Sequence, residues 1–386
     1  MVLFLHNRYR REGGEDRAVE DLLWLVREHL GEEAELLERD SALLGRGRAA
    51  VGLLRGGLRP DEVARAVRRT RARVVHAHNL TPALGWRALA AAREGGARVV
   101  GHLHNYRLVC AVGICFTAGE ECTRCHARNT LPGVIHNCRG SAPEALAYAA
   151  ALARWQRRVT GLMDAAIVPS EFARRRLREL GAPLPAATHV LPLPARRIAE
   201  RSNAAAGSYA LFAGRLEPEK GLHVAIEACA VAAIPLVVAG DGSQRPRFEG
   251  TPGVTFEGHV SDARLAQLRA GARLALMPSL VAETYGLAAA EAMAAGVPVA
   301  ASDIGALPEI VPAEWLAPPG DAGALAEAIA RVLADPAAGD RAREGAIDPR
   351  RAAATLARIY AEPIREPPAR SGGGGSARMR RPRRLA

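Results

Sequence analysis

The stretch Ser208-Tyr209-Ala210-Leu211-Phe212-Ala213-Gly214-Arg215-Leu216-Glu217-Pro218-Glu219-Lys220-Gly221 reads as a buried strand that stops at a glycine, a charged loop, and the start of a helix. The pattern repeats downstream, with apolar strand signals at 236–240, 254–258, 274–278 and 297–300 and helical segments between most of them. Upstream, Val2-Leu3-Phe4-Leu5, a polar loop containing Gly13-Gly14 and a helical pattern from about 16 to 30 open an earlier alternation. It continues through strand signals at 73–78, 98–104, 165–170 and 189–194. Both halves therefore read as α/β with parallel sheets, and two such sheets facing each other leave a ligand cleft outside the carboxyl ends of their strands.

The chain's 386 residues, 49% hydrophobic and 24% charged, supply enough apolar material for two cores and exclude wholesale disorder. The expected layout is a first domain over 1–196, with a Cys-rich insertion at about 105–140, and a second over 205–347 after a polar, Ala-rich linker. A helix over 348–364 and a flexible basic tail over 365–386 follow. No apolar run reaches the roughly 20 residues that span a bilayer, and the first apolar run is too short for a signal peptide. The expectation is a cytoplasmic protein.

The net charge of +11 suits a nucleoside diphosphate, an anionic membrane surface or nucleic acid, and alone selects none of them. Among the 52 Lys and Arg residues the sole lysine is Lys220. Its retention in so arginine-rich a chain marks it for chemistry that arginine does not replace. Arg215 and Lys220 can converge on a diphosphate, aided by backbone donors at a helix start; a solvated basic turn is the alternative. Further on, Glu283-Thr284-Tyr285-Gly286-Leu287 leads into Glu291-Ala292-Met293-Ala294-Ala295-Gly296. A helix starting near Tyr285 puts Glu283 in its entry loop and Glu291 on its body, so one carboxylate can hold a sugar and the other a ribose diol. The Gly286 and Leu287 amides can meet a phosphate.

These residues resemble the retaining glycosyltransferases of family 4, which have the GT-B fold of two Rossmann-like domains. The similarity spans about residues 1–360 and rests on Glu283 and Glu291, on Arg215 and Lys220, and on Val238-Ala239-Gly240-Asp241-Gly242. The resemblance implies that Arg215 and Lys220 bind the donor diphosphate, that Glu283 touches the transferred sugar and that Glu291 holds the nucleotide ribose. Gly13 and Gly14 are similar to the family's glycine loop beside the phosphates. His104 looks like its active-site histidine. The last helix is implied to cross back to the first domain. The sequence holds no Asp-x-Asp pair, the usual metal-bridging carboxylate site, so the leaving diphosphate is expected to be neutralised by Arg215, Lys220 and helix dipoles, with no cofactor for catalysis.

Cys110, Cys115, Cys122, Cys125 and Cys138 cluster in the insertion. Cys122 and Cys125 form a two-residue knuckle that, paired with Cys110 and Cys138, would give a four-thiolate structural zinc site, and these four resemble the pattern of a family-4 subgroup with a cysteine-containing insertion in the first domain; reduced thiols or a redox role are the alternatives. Cys229 sits in an apolar helix and reads as core. His76, His78, His102 and His104 alternate on two strands and read as cleft hydrogen-bonding groups rather than metal ligands.

The sequence thus points to transfer of a hexose-type sugar from a nucleoside diphosphate sugar to a hydroxyl acceptor, in surface polysaccharide or glycolipid synthesis. Basic segments at 65–73 and 174–178 and the tail could hold the chain against anionic lipid as a peripheral membrane protein. Two rivals remain: a nucleotide-sugar epimerase or hydrolase on the same fold, and a nucleic-acid or partner-binding module using the basic surface and the Cys knuckle. Aromatic content of 4% leaves little material for base stacking and weighs against nucleic acid.

Overall fold

A computed structural model describes residues 1–10, 13–196 and 202–364; the centre of the expected linker and the whole basic tail lie outside the described residues. The first sheet contains β1 (Val2–Arg8), β2 (Ala34–Asp40), β3 (Val74–Ala77) and β4 (Arg98–His102). A small antiparallel hairpin, β5 (Phe116–Thr117) and β6 (Glu120–Glu121), stands outside it, and β7 (Ala165–Val168) and β8 (Thr188–Val190) complete it. Its order is β2-β1-β3-β4-β7-β8, with every pairing parallel. The second sheet comprises β9 (Tyr209–Ala213), β10 (Leu236–Ala239), β11 (Val254–Gly258), β12 (Ala272–Met277), β13 (Val299–Ser302) and β14 (Leu316–Ala317). Its order is β11-β10-β9-β12-β13-β14, again all parallel. The chain is therefore α/β with two Rossmann-like sheets, the GT-B architecture that the sequence implied.

Strands buried on both faces carry little polar sequence, and β1, β3, β7 and β13 are buried almost throughout. The sequence reading missed β2 because its Ala-Glu-Leu-Leu-Glu-Arg-Asp sequence is that of a half-solvated edge strand, charged where the others are apolar. The helix after β12 runs over Leu287–Ala294, capped by Gly286, two residues later than the spacing suggested.

The last helix, Pro349–Ala361, starts from Asp348, whose side chain accepts a hydrogen bond from the Arg350 amide. It buries Ala353, Leu356, Ile359 and Tyr360 in the same cluster as Val2, Phe4, Leu22 and Leu25. Beyond it Arg98 pairs with Glu362 at 2.8 Å. The end of the described chain thus belongs to the layer covering the first sheet. Cys229 lies in the core of the second sheet.

Candidate active site between the two sheets

In both sheets the chain reverses its winding at the first strand, and the crevice beside such a switch point is where ligands of α/β sheets bind. At the second sheet the switch lies between β9 and β12, so the loops 214–221 and 278–286 meet there. Gly221 makes the meeting close: its φ is +70°, and a Cβ there would stand 1.9 Å from the Pro278 carbonyl oxygen. The Leu280 amide donates to the Glu219 carbonyl at 2.9 Å and ties the two loops together. Gly286, at φ +102°, turns the chain into its helix where a Cβ would meet Leu307 at 2.7 Å.

This junction brings Lys220 to Glu283, with Nζ 2.6 Å from Oε1, and Ser279 Oγ donates to the same oxygen at 2.8 Å. Burial alone would raise the Glu283 carboxyl, but the Lys220 ammonium, the Ser279 hydroxyl and the nearby Arg215 outweigh it and hold the group below its ordinary value. Glu283 is therefore an ionised acceptor at neutral pH. Arg215 is half-exposed and reaches Glu219 at 3.1 Å.

Glu291 behaves differently. It is 3% exposed and pairs with Arg269, itself buried, and with Arg17 at 3.4 Å. Arg17 comes from the opposite domain, just after the glycine loop, and also pairs with Asp262. Neither Arg17 nor Arg269 was singled out in the sequence. Both are unremarkable helix arginines in an arginine-rich chain, and only the tertiary fold brings them to one carboxylate.

The first domain approaches through the 282–285 segment. Thr284 Oγ1 donates to the His104 carbonyl at 2.8 Å, Ser170 Oγ donates to the Thr284 carbonyl at 2.7 Å, and Tyr285 donates to the Leu193 carbonyl at 2.8 Å. His104 thus stands at the carboxyl end of β4 beside the Glu283 loop. Its Nε2 lies 2.9 Å from His78 Nδ1, and its ring stacks on His102 with centroids 4.0 Å apart. Burial, with His6 and His76 nearby, pushes the His104 ring down to about 3, and burial alone does the same to His76. At neutral pH these rings are uncharged hydrogen-bonding groups. Among the described residues the only three-member set of metal-type donors within 4.8 Å is His76, His78 and His102. Two of its contacts are already used, His76 Nδ1 with Tyr360 at 2.7 Å and His102 Nδ1 with His76 Nε2 at 3.3 Å.

Gly13 and Gly14 open the first helix, Gly14–Trp24. Asp16 holds their loop by accepting from the Gly13 amide at 2.9 Å and pairing with His6 at 2.8 Å. Neither glycine has a positive φ, and a Cβ on either would touch nothing within 4 Å. The fold does not need glycine there; open space above the loop is what glycine preserves. Gly13→Ala is accordingly expected to leave the thermal midpoint within about 1 °C, whereas Gly221→Ala lowers the midpoint by several degrees through its clash and strained φ. Thermal unfolding of the two variants separates these cases.

Glu15 was also missed. It accepts from Asn105 at 2.8 Å and from Tyr9, and burial raises its carboxyl above the ordinary range.

In the insertion, Cys110, Cys115, Cys122, Cys125, Cys138 and His136 line one small cavity. No three of the sulfurs lie within 4.8 Å of one another, so the thiols share a pocket without being drawn to metal-ligand spacing. The basic segments expected at a membrane are largely neutralised by their own neighbours: Arg65 by Asp61, Arg69 by Glu35, Arg73 by Glu32, Arg174 by Glu171, Arg175 by Glu179 and Arg176 by Glu121. No helix among the described residues is long and apolar enough to cross a membrane.

Comparison with known proteins assigns both halves. Residues 47–194 match the family described as Glycosyltransferase Family 4, and residues 207–335 match that described as Glycosyl transferases group 1. Each half of the chain thus matches a glycosyltransferase family model. It is 37% identical over 151 residues to a glycogen synthase of Mycobacterium tuberculosis, covering 34% of this chain and 35% of that protein. A GDP-mannose-dependent alpha-(1-6)-phosphatidylinositol dimannoside mannosyltransferase of the same species is 36% identical over 172 residues, covering 39% and 44%. The chain therefore aligns with about a third to under half of the length of these curated relatives. In three dimensions it resembles Anabaena HepE, solved in complex with UDP, with a TM-score of 0.60 at 17% identity over 93% of this chain and 99% of that one.

Proposed function

We propose that this chain is a retaining glycosyltransferase that moves a hexose-type sugar from a nucleoside diphosphate sugar to an acceptor hydroxyl without a catalytic metal. The observation that carries the reading is the meeting, at one switch point, of Arg215, Lys220, the ionised Glu283 and the helix that starts at Leu287. Two cations and a helix start can receive a diphosphate, and a carboxylate beside them can accept hydrogen bonds from sugar hydroxyls. Lys220 then serves both groups, compensating Glu283 and drawing negative charge from the leaving phosphate as it develops. Glu291 is assigned to the nucleotide ribose, which requires Arg17 to yield its place when donor enters. Gly13 and Gly14 give the diphosphate room, the Gly286 and Leu287 amides face it, and neutral His104 bonds a sugar hydroxyl.

In the reaction the bond between the anomeric carbon and the phosphate oxygen breaks. A bond from the same face to the acceptor oxygen forms, and the acceptor's proton passes to the leaving phosphate. The acceptor is read as a lipid-linked or growing surface glycan, handled at the cytoplasmic face of a membrane. The shared Cys pocket supports the reading of a structural zinc that Cys110, Cys122, Cys125 and Cys138 would hold, because its donors are the soft sulfur ligands that zinc prefers. The ion would tie the later part of the insertion to its first part, which packs through Tyr106 and Val109 against Val168 and Leu177.

Calorimetric titration with uridine, guanosine and adenosine diphosphate sugars is the test. One donor should bind, and Lys220→Ala and Arg215→Ala should each weaken it at least tenfold. Failure of every donor to bind removes the reading. Donor turnover that needs no acceptor replaces it with a hydrolase or epimerase on the same fold.

A further inference from the structure

The helix Glu171–Glu179 of the first domain begins beside the Glu283 loop, and the three amides of its first turn that it cannot pair internally are all taken. Ser170 Oγ accepts from the Ala173 amide at 3.0 Å, as its capping position predicts. The other two donors go to the second domain: the Glu171 and Phe172 amides donate to the two carboxylate oxygens of Glu309, at 2.9 and 2.6 Å. A carboxylate placed there meets the positive end of the helix dipole as well as free donors. Glu309 makes no ion pair among the described residues, so the helix start is its charge partner. Its side chain is exposed, and the contact can break without stranding a buried charge.

On its own side Glu309 is anchored close to the site. It ends the turn Leu307–Glu309, whose Leu307 is fully buried in the second core. Gly305 has φ +66°, and a Cβ there would stand 2.4 Å from the Glu283 nitrogen. The Ala306 amide donates to the Glu283 carbonyl at 2.9 Å. The start of the helix thus reaches the Glu283 segment by two routes, through Ser170 on the Thr284 carbonyl and through Glu309 on the turn that backs Glu283.

We propose that Glu309 is a positioning residue: by docking on the helix start of the opposite domain it fixes the Glu283 loop beside His104, and so sets where the transferred sugar is held relative to the first domain. This rests on the transferase reading and deepens it by assigning a residue that acts on the site without touching the donor. Because the contact is a charge on backbone donors, its strength follows the charge and acceptor count of residue 309 rather than its bulk.

The test is hydrogen exchange by mass spectrometry on the full chain, read at the amides of Glu171, Phe172 and Ala306. Exchange at all three should quicken by about fivefold in Glu309→Ala. The effect should be smaller in Glu309→Gln, which keeps one acceptor oxygen, and larger in Glu309→Lys, which turns a cation on the helix start. Glu171→Pro gives a check from the other side, since proline at the first helical position removes one donor and leaves the helix intact. Added to Glu309→Ala, it should produce no further change at Ala306. Unchanged exchange at Ala306 in the alanine chain overturns the proposal, as does an effect equal for glutamine and lysine. Calorimetry supplies the readout on function: Glu309→Ala should leave affinity for the bare nucleoside diphosphate unchanged and remove about fivefold of the affinity that the sugar adds. Loss of both together overturns positioning in favour of a general structural role. If no diphosphate binds the parent chain, the transferase reading falls, and the exchange result alone decides whether Glu309 holds the loop.

Discussion

Between pH 6.5 and 4.5 the protein is expected to lose stability steeply, with the loss centred on its first domain. His76, His78, His102 and His104 form one stack at the ends of β3 and β4. Burial holds His76 and His104 down to about 3, and burial together with neighbouring rings holds His78 and His102 well below the ordinary value. Unfolded histidines take up protons near pH 6.5 and these do not, so their contribution is complete above pH 6.5 and drains away as pH falls toward their folded values. His76 and His104 alone give a slope of about 3 kcal/mol per pH unit, against a total stability of about 5–15 kcal/mol. Glu283 adds to the loss at lower pH, since a carboxyl held below its ordinary value stabilises only while it stays ionised. Chemical denaturation at half-unit steps of pH should show the slope, and His102→Gln should reduce it by about a quarter. A flat profile down to pH 4.5 would mean that the rings are not the buried neutral groups described here.

Glu291→Ala is expected to have the second large effect, and it acts on two properties at once. Removing the carboxylate leaves Arg269 buried with no partner, which costs about 3–5 kcal/mol, while Arg17 keeps Asp262. Donor affinity should fall as well, because the ribose loses its acceptor. The double variant Glu291→Ala/Arg269→Met separates the two: an apolar replacement for the buried pair should restore most of the stability. Donor binding should stay lost. A double variant that recovers stability and also binds donor normally shows that Glu291 is a structural partner of Arg269 and nothing more. An Arg17→Ala chain, which frees Glu291 without unburying a charge, should bind donor at least as tightly as the parent; weaker binding would mean that Arg17 contacts the nucleotide rather than shielding its place.

The basic segments at 65–73 and 174–178 show how far linear charge can mislead. As sequence they are concentrated cation runs, and in three dimensions most of them are spent on carboxylates, three from neighbouring strands and turns and three from their own helices. Arg48 and Arg55, on the helix Arg46–Arg55 that the sequence reading passed over, make no ion pair among the described residues. The cysteine knuckle shows a milder version: the five thiols do gather around one pocket, but their mutual spacing depends on a loop conformation that no residue spacing dictates.

The alternation of apolar strand signals with amphipathic helices determined the two parallel sheets, because a strand covered on both faces must be apolar throughout. Loop chemistry at the strand ends also marked Arg215, Lys220 and Glu283, and Glu291 stood out as a carboxylate within an otherwise apolar helix. The edge strand β2 escaped because solvent relaxes the demand for apolar residues, leaving a pattern that reads as loop. Tertiary structure alone decided that Lys220 compensates Glu283, that Arg17 crosses the cleft to Glu291, and that Trp86, Trp155, His78, His102 and His104 line one cavity. Each of these joins residues from separate elements, and a charge or ring meets its partner only when the packing of helices on sheets fixes where both elements lie.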